Sequence, residues 1–237
     1  MRWLVLIAMC FACDRDTRRV EVDLSREHDS AITVDGVSFT TVFEVDANEQ
    51  APLLVMLHGL GDTAKNFREA WPAIPFKLQL SFPLAPLPIG NGRQWFAWPP
   101  GTDEETLGRL LGDAEQRLWP AIVKLARGRK VMVGGFSQGA MMAYVMALRH
   151  PDEVIAAFPI GGRLPLTLVP AHARTAPIVA LHGVDDRRIS IAHARESIAA
   201  LQAAGSDAAL HEYPGVGHTI TPAMFEQLIQ LVRERLR

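Results

Sequence analysis

The chain has 237 residues, 49% hydrophobic and 21% charged, with a formal net charge of -2. That length allows one large α/β domain with a substantial core, and the balanced charge argues against a nucleic-acid partner or an acidic disordered chain. Both cysteines, Cys10 and Cys13, precede residue 14, so the body of the chain has no thiol nucleophile, thiolate metal site or disulfide framework.

In chain order, Arg2 is followed by the apolar run Trp3–Ala12 and then by the charged stretch Asp14–Arg19. The run is too short to span a bilayer, which takes about 20 residues, but it matches the apolar region of an export signal. It ends in Phe11-Ala12-Cys13, similar to a bacterial lipoprotein processing site. Residues 1–13 are therefore expected to be a signal or lipoprotein signal segment. Lipidation of Cys13 would attach the chain to a membrane, with the bacterial periplasm or the membrane as its location. The alternative readings are an apolar strand or a misplaced start in a cytoplasmic protein. Residues 14–30 are polar and read as a tether, and residues 31–237 as a single domain.

Ile32–Val34 and Ser38–Val45 flank Asp35-Gly36, a hairpin turn signal. Pro52–Leu57 reads as a buried strand ending at His58-Gly59. A short helix is expected over Asn66–Ile74, a strand over Leu78–Leu84 and a Trp-, Gly- and Pro-rich loop over Asn91–Gly101. Apolar residues recur at helical spacing across Asp103–Ala126, with Pro120 a candidate kink. Strand Lys130–Phe136, helix Gln138–Arg149 and strands Val154–Ile160 and Pro177–Leu181 follow. Ser190 caps a helix ending near Gly205; strand Ala209–Tyr213 precedes a last helix opened by Thr221-Pro222. This alternation from Pro52 onward predicts a mostly parallel central sheet with helices on both faces.

Gly135-Phe136-Ser137-Gln138-Gly139 is a G-x-S-x-G pattern lying between a predicted strand and a predicted helix. That placement is what a nucleophile elbow needs, because the sharp turn lifts Ser137 to the carboxyl end of the sheet beside a helix N-terminus. A serine hydroxyl needs a base to take its proton. His218, in the glycine-rich loop Pro214–Gly217 after the last strand, is the aptest of eight histidines. His58 and His182 each precede glycine at a strand end and read as loop-structuring residues. Asp185 and Asp186 are adjacent candidates for the carboxylate that orients the imidazole, giving the chain order serine, acid, histidine of the α/β-hydrolases. The backbone N–H groups of Gln138 and of Leu60, in His58-Gly59-Leu60-Gly61-Asp62, are the candidate oxyanion donors. No clustered metal-ligand pattern appears, and no metal or cofactor is expected.

Together these motifs, with Gly92-Arg93-Gln94-Trp95-Phe96, His182-Gly183-Val184-Asp185-Asp186 and Gly217-His218, resemble the phospholipase/carboxylesterase branch of the α/β-hydrolases, which includes acyl-protein thioesterases. The resemblance implies an α/β-hydrolase fold and catalysis by Ser137, Asp186 and His218. It favours Asp186 over Asp185 through a His-Gly-x-x-Asp-x-x-Val pattern in which Ile189 holds the last place. It also puts Trp95 and Phe96 near the acyl pocket. The stretch Gly161–Ala176 is too short for a large cap domain, so the site is expected to be open. Leu60, Trp95, Phe96, Trp98, Leu164 and Leu166 are its candidate walls. The implied substrate is a small-molecule or lipid acyl ester, thioesters and lysophospholipids included. A feruloyl-type esterase or peptidase, or a non-catalytic binding protein on the same fold, are the competing readings.

Overall fold

The computed structural model describes residues 30–172 and 174–237. The leader-like run, Cys13 and nearly all of the tether lie outside the described residues. Among the described residues no helix is long and apolar enough to cross a membrane.

The hairpin signal is met by β1 (Ser30–Val34) and β2 (Val37–Glu44), paired antiparallel through Asp35 at φ 48° and Gly36 at φ 78°. Two consecutive positive φ values give a turn whose twist matches that of the strands. β3 (Leu53–Leu57) is buried at every position, as a strand covered on both faces should be. α1 (Ala64–Glu69), β4 (Leu78–Pro83), α2 (Glu104–Ala126), β7 (Val131–Phe136) and α3 (Gln138–Arg149) follow, with the short strands β5 (Leu87–Ile89) and β6 (Gly92–Gln94) between β4 and α2. The chain closes with β8 (Val154–Ile160), β9 (Ile178–Gly183), α4 (Ile191–Ala203), β10 (Ala208–Tyr213) and α5 (Pro222–Arg235).

The main sheet has eight strands in the order β1-β2-β4-β3-β7-β8-β9-β10. From β4 to β10 every pairing is parallel; β2 pairs antiparallel with β1 and β4. Alternate residues of each strand serve opposite faces. Leu53, Val55 and Leu57 pack with α2, α3 and α4, whereas Leu54 and Met56 pack with Phe67 of α1 and Met224 and Leu228 of α5. The result is an α/β-hydrolase fold with helices on both faces and, among the described residues, no cap domain; those between β8 and β9 include the short 3-10 turn Leu166–Leu168.

Two expectations are corrected. The first helix starts earlier and is shorter, because Thr63 caps it through Asn66 N and the residue before Pro72 cannot continue it. The loop expected over Asn91–Gly101 begins with β6, which pairs antiparallel with β5 as a two-stranded hairpin. Pro120, the candidate kink, lies inside α2, which is one continuous helix of 23 residues. Pro120 and Gln116, the residue four places before it, are both exposed, so the carbonyl that loses its partner can bond water.

Candidate active site

Every predicted site loop leaves the carboxyl end of a parallel strand: β3, β7, β9 and β10. That edge is where open α/β sheets bind ligands.

Ser137 joins β7 to α3 with φ 54° and ψ -114°, a conformation that costs a non-glycine residue about 1–3 kcal/mol. The turn is held from both sides, Ser137 N donating to Ile160 O (2.9 Å) and Ser137 O accepting from Met141 N (3.1 Å). The glycines around it are needed for close approach. A β-carbon on Gly135 would lie 2.6 Å from the Gly139 backbone, and one on Gly139 would lie 2.2 Å from Leu57 O.

His218 Nε2 is 2.9 Å from Ser137 Oγ, and its Nδ1 is 2.6 Å from Asp186 Oδ2. With Nδ1–H donating to the carboxylate, Nε2 is free to accept from the serine hydroxyl. The Phe136 ring packs against the imidazole with centroids 4.7 Å apart. Asp186 Oδ1 accepts from Arg188 N (2.8 Å) and Ile189 N (2.9 Å). Burial works to raise the Asp186 pKa, but the hydrogen bonds from His218, Ile189 N and Arg188 N outweigh it and hold the carboxyl below its ordinary range.

The two aspartates differ in their surroundings. Asp186 is buried, whereas Asp185 is exposed and its backbone N–H donates to Val216 O at 2.9 Å. That bond ties the acid loop to the histidine loop. Gly183 permits the contact, since a β-carbon there would lie 2.3 Å from Val216 O.

His58 and His182 are both buried, as loop-structuring residues should be. His182 Nε2–H donates to Ile189 O at 2.8 Å and lies 3.5 Å from Asp186 Oδ2. His58 Nδ1–H donates to Gly59 O at 2.8 Å, and its Nε2 accepts from Ala85 N at 3.2 Å. Burial lowers both histidine pKa values.

Leu60 lies in the loop after β3, and Gln138 directly follows Ser137 at the start of α3. The N–H of Gln138 is in the first turn of α3 and has no helical acceptor. The loop carrying Leu60 comes close to the serine: a β-carbon on Gly59 would be 3.5 Å from Ser137 Cβ.

Of the expected pocket residues, Trp95, Phe96 and Leu164 are each about 1% exposed and pack in the core on the α2–α3 side of the sheet. Trp95 is drawn inward because its indole N–H donates to His58 O at 2.8 Å. The Leu164 backbone N–H donates to Ser197 Oγ at 2.9 Å. Of the other candidates, Leu60 and Leu166 are exposed and Trp98 is half-buried, with the Arg163 guanidinium 5.9 Å over its ring. Two features were not read from the sequence. The Gln138 side chain is buried and bonded to the Trp95–Phe96 backbone, and β6 grips the Leu60 loop through Gly61 N to Arg93 O (2.8 Å) and Arg93 N to Asp62 O (2.9 Å). Among the described residues no group of three His, Cys, Asp or Glu is gathered for a metal.

Residues 40–235 match the family model described as phospholipase/carboxylesterase. The chain belongs to that family. As a member it is a hydrolase acting on ester bonds. It is 32% identical over 184 residues to the esterase YpfH of Escherichia coli, covering 71% of this chain and 76% of that protein. It is 24% identical to acyl-protein thioesterase 1 of Gibberella zeae, covering 80% of this chain and 93% of the thioesterase. Among solved structures, esterase PE8 superimposes with a TM-score of 0.71 at 25% identity, covering 84% of this chain and 98% of the esterase.

Proposed function

We propose that this family member is a serine carboxylesterase working through an acyl-enzyme. The observation that carries the reading is the hydrogen-bonded chain from Ser137 Oγ through His218 to Asp186 at the carboxyl edge of the sheet. Ser137 Oγ attacks the ester carbonyl carbon while its proton passes to His218 Nε2. The oxyanion is held by the N–H groups of Leu60 and Gln138. The tetrahedral species collapses, the carbon–oxygen bond to the alcohol breaks, and His218 returns the proton to the leaving oxygen. Water then repeats the sequence on the acyl-serine, giving the free acid and restoring Ser137. Asp186 stays ionised and stabilises the imidazolium formed in each half.

Acyl esters of short to medium chain are the substrates the reading favours, because the site lacks a cap and carries exposed apolar Leu60 and Leu166. Likeness to an acyl-protein thioesterase extends the class to thioesters. Export and lipidation concern residues outside the described ones and form no part of this proposal. The test is p-nitrophenyl ester and acyl-thioester hydrolysis beside fluorophosphonate labelling. Ser137→Ala is expected to lose at least about 10³-fold in kcat and all labelling. Wild-type rates in Ser137→Ala, or no labelling of folded wild-type protein, would sink the assignment; the latter result points to a binding protein.

A further inference from the structure

Gln138 contributes more than its backbone N–H. Its side chain belongs to a residue 1% exposed, and its hydrogen bonds go to the Trp95–Phe96 backbone instead of to the three residues of the relay. Oε1 accepts from Trp95 N at 2.8 Å, and Nε2 donates to Phe96 O at 2.8 Å. One orientation of the amide satisfies both partners; the flipped one would set donor against donor.

Trp95 carries the connection onward. Its indole N–H donates to His58 O at 2.8 Å, and the two rings lie 5.1 Å apart. His58 in turn bonds Gly59 O and Ala85 N. Leu60 follows directly, and its exposed side chain gives the loop no anchor of its own. On the far side of Leu60, Gly61 and Asp62 are gripped by Arg93, two residues before Trp95. The segment 92–96 therefore holds the Leu60 loop on both sides of Leu60, and the Gln138 carboxamide fastens that segment to the start of α3.

We propose that the Gln138 carboxamide is a positioning residue that fixes the Leu60 and Gln138 amides relative to each other, so that both N–H groups reach one oxyanion. The inference rests on the proposed function, which makes those amides the oxyanion donors. An oxyanion exists only along the reaction, so loosening the clamp weakens transition-state binding more than substrate binding.

Gln138→Met and Gln138→Glu both keep the backbone N–H and the length of the side chain. Met can bond neither partner; Glu accepts from Trp95 N but sets a carboxylate against Phe96 O. Active sites are counted with a fluorophosphonate, and kcat and KM on a p-nitrophenyl ester are expressed per titrated site. Affinity for a trifluoromethyl ketone, which forms a tetrahedral adduct on serine, is measured in parallel. The expected result is a fall of about 10- to 100-fold in kcat per site. KM should stay within about threefold, and ketone affinity should fall in proportion to kcat/KM. A merely structural role would lower the titratable fraction and leave the surviving sites at wild-type rate.

Unchanged kcat per site and unchanged ketone affinity in Gln138→Met overturn the inference. If neither variant yields titratable sites, Trp95→Phe decides, since it removes the indole donor to His58 O and leaves the carboxamide bonds. A loss selective for kcat there supports the clamp, and a wild-type kcat per site overturns it. An inactive Ser137→Ala beside an unaffected Gln138→Met removes this inference alone, whereas an active Ser137→Ala removes the function beneath it.

Discussion

Asp185 and Asp186 are chemically identical neighbours with different tasks. Asp186 spends its two oxygens on three donors: His218 Nδ1–H, Arg188 N and Ile189 N. Asp185 contributes a backbone N–H to the histidine loop and leaves its carboxylate in solvent. Asp186→Asn keeps the shape but loses the charge that stabilises the imidazolium, and its amide can hold the wrong tautomer of His218. It should reduce kcat by about 10³- to 10⁴-fold. Asp185→Asn should stay within about twofold of wild type, because an exposed carboxylate contributes little. Steady-state kinetics on the two variants checks the pair, and equal losses would reverse the assignment.

At the level of elements, the site is made by how tightly α3 enters the sheet. The helix is buried through Ala147, the pattern of a helix covered all round. Its first turn passes so close to β3 that Gly139 has no room for a β-carbon, with Leu57 O at 2.2 Å from where one would sit. Backbone cannot yield as a flexible side chain can, so Gly139→Ala should cost about 3 kcal/mol or more, the upper range for overpacking. Thr221→Ala is the contrasting case. It removes the Thr221 Oγ1 acceptor of Met224 N at the start of α5 and should cost about 1 kcal/mol. Urea unfolding of both variants measures the difference; a Gly139→Ala cost no larger than the cap's would mean that α3 can shift away from β3.

For the molecule as a whole, acid is the predicted weakness. His58 and His182 have pKa values lowered by burial. Below the ordinary histidine pKa of about 6.5 the unfolded chain binds protons that the native rings refuse, so stability is full above that pH and declines below it. Asp186, held below its ordinary range, adds stability that persists above about pH 4 and disappears as the pH falls through its native value. Melting temperature should therefore fall from pH 7.5 to pH 5 and fall again below pH 4. A flat profile between pH 7.5 and pH 5 would show that the two histidines protonate freely in the native state.

Much of this was legible in the residues because the signals are local. The Asp35-Gly36 hairpin, the Thr221-Pro222 helix start and the glycines around Ser137 each require a backbone conformation that few residues supply. The alternation of apolar runs from Pro52 onward fixes a parallel sheet with helices on both faces, since each run must bury two faces or one stripe. The order Ser137, then Asp185 or Asp186, then His218 follows from the loops those strands leave behind; the family resemblance is what favoured Asp186. Other features depended on partners distant in sequence. The resemblance put Trp95 and Phe96 near the acyl pocket, and Leu164 was a candidate apolar wall; that all three are buried depends on the packing around them. The Trp95 indole, for one, meets His58 O, 37 residues away in the chain. The β5–β6 hairpin was hidden because three-residue strands carry no readable period. The Gln138 clamp was invisible for the same reason of distance, its partners lying 42 and 43 residues away. The sequence by itself determined the sharp turn that carries Ser137 and the fold that presents it, because steric limits on the backbone are local. Only the tertiary structure decided which side chains hold the site in register, because a hydrogen bond across the sheet edge needs both partners in place.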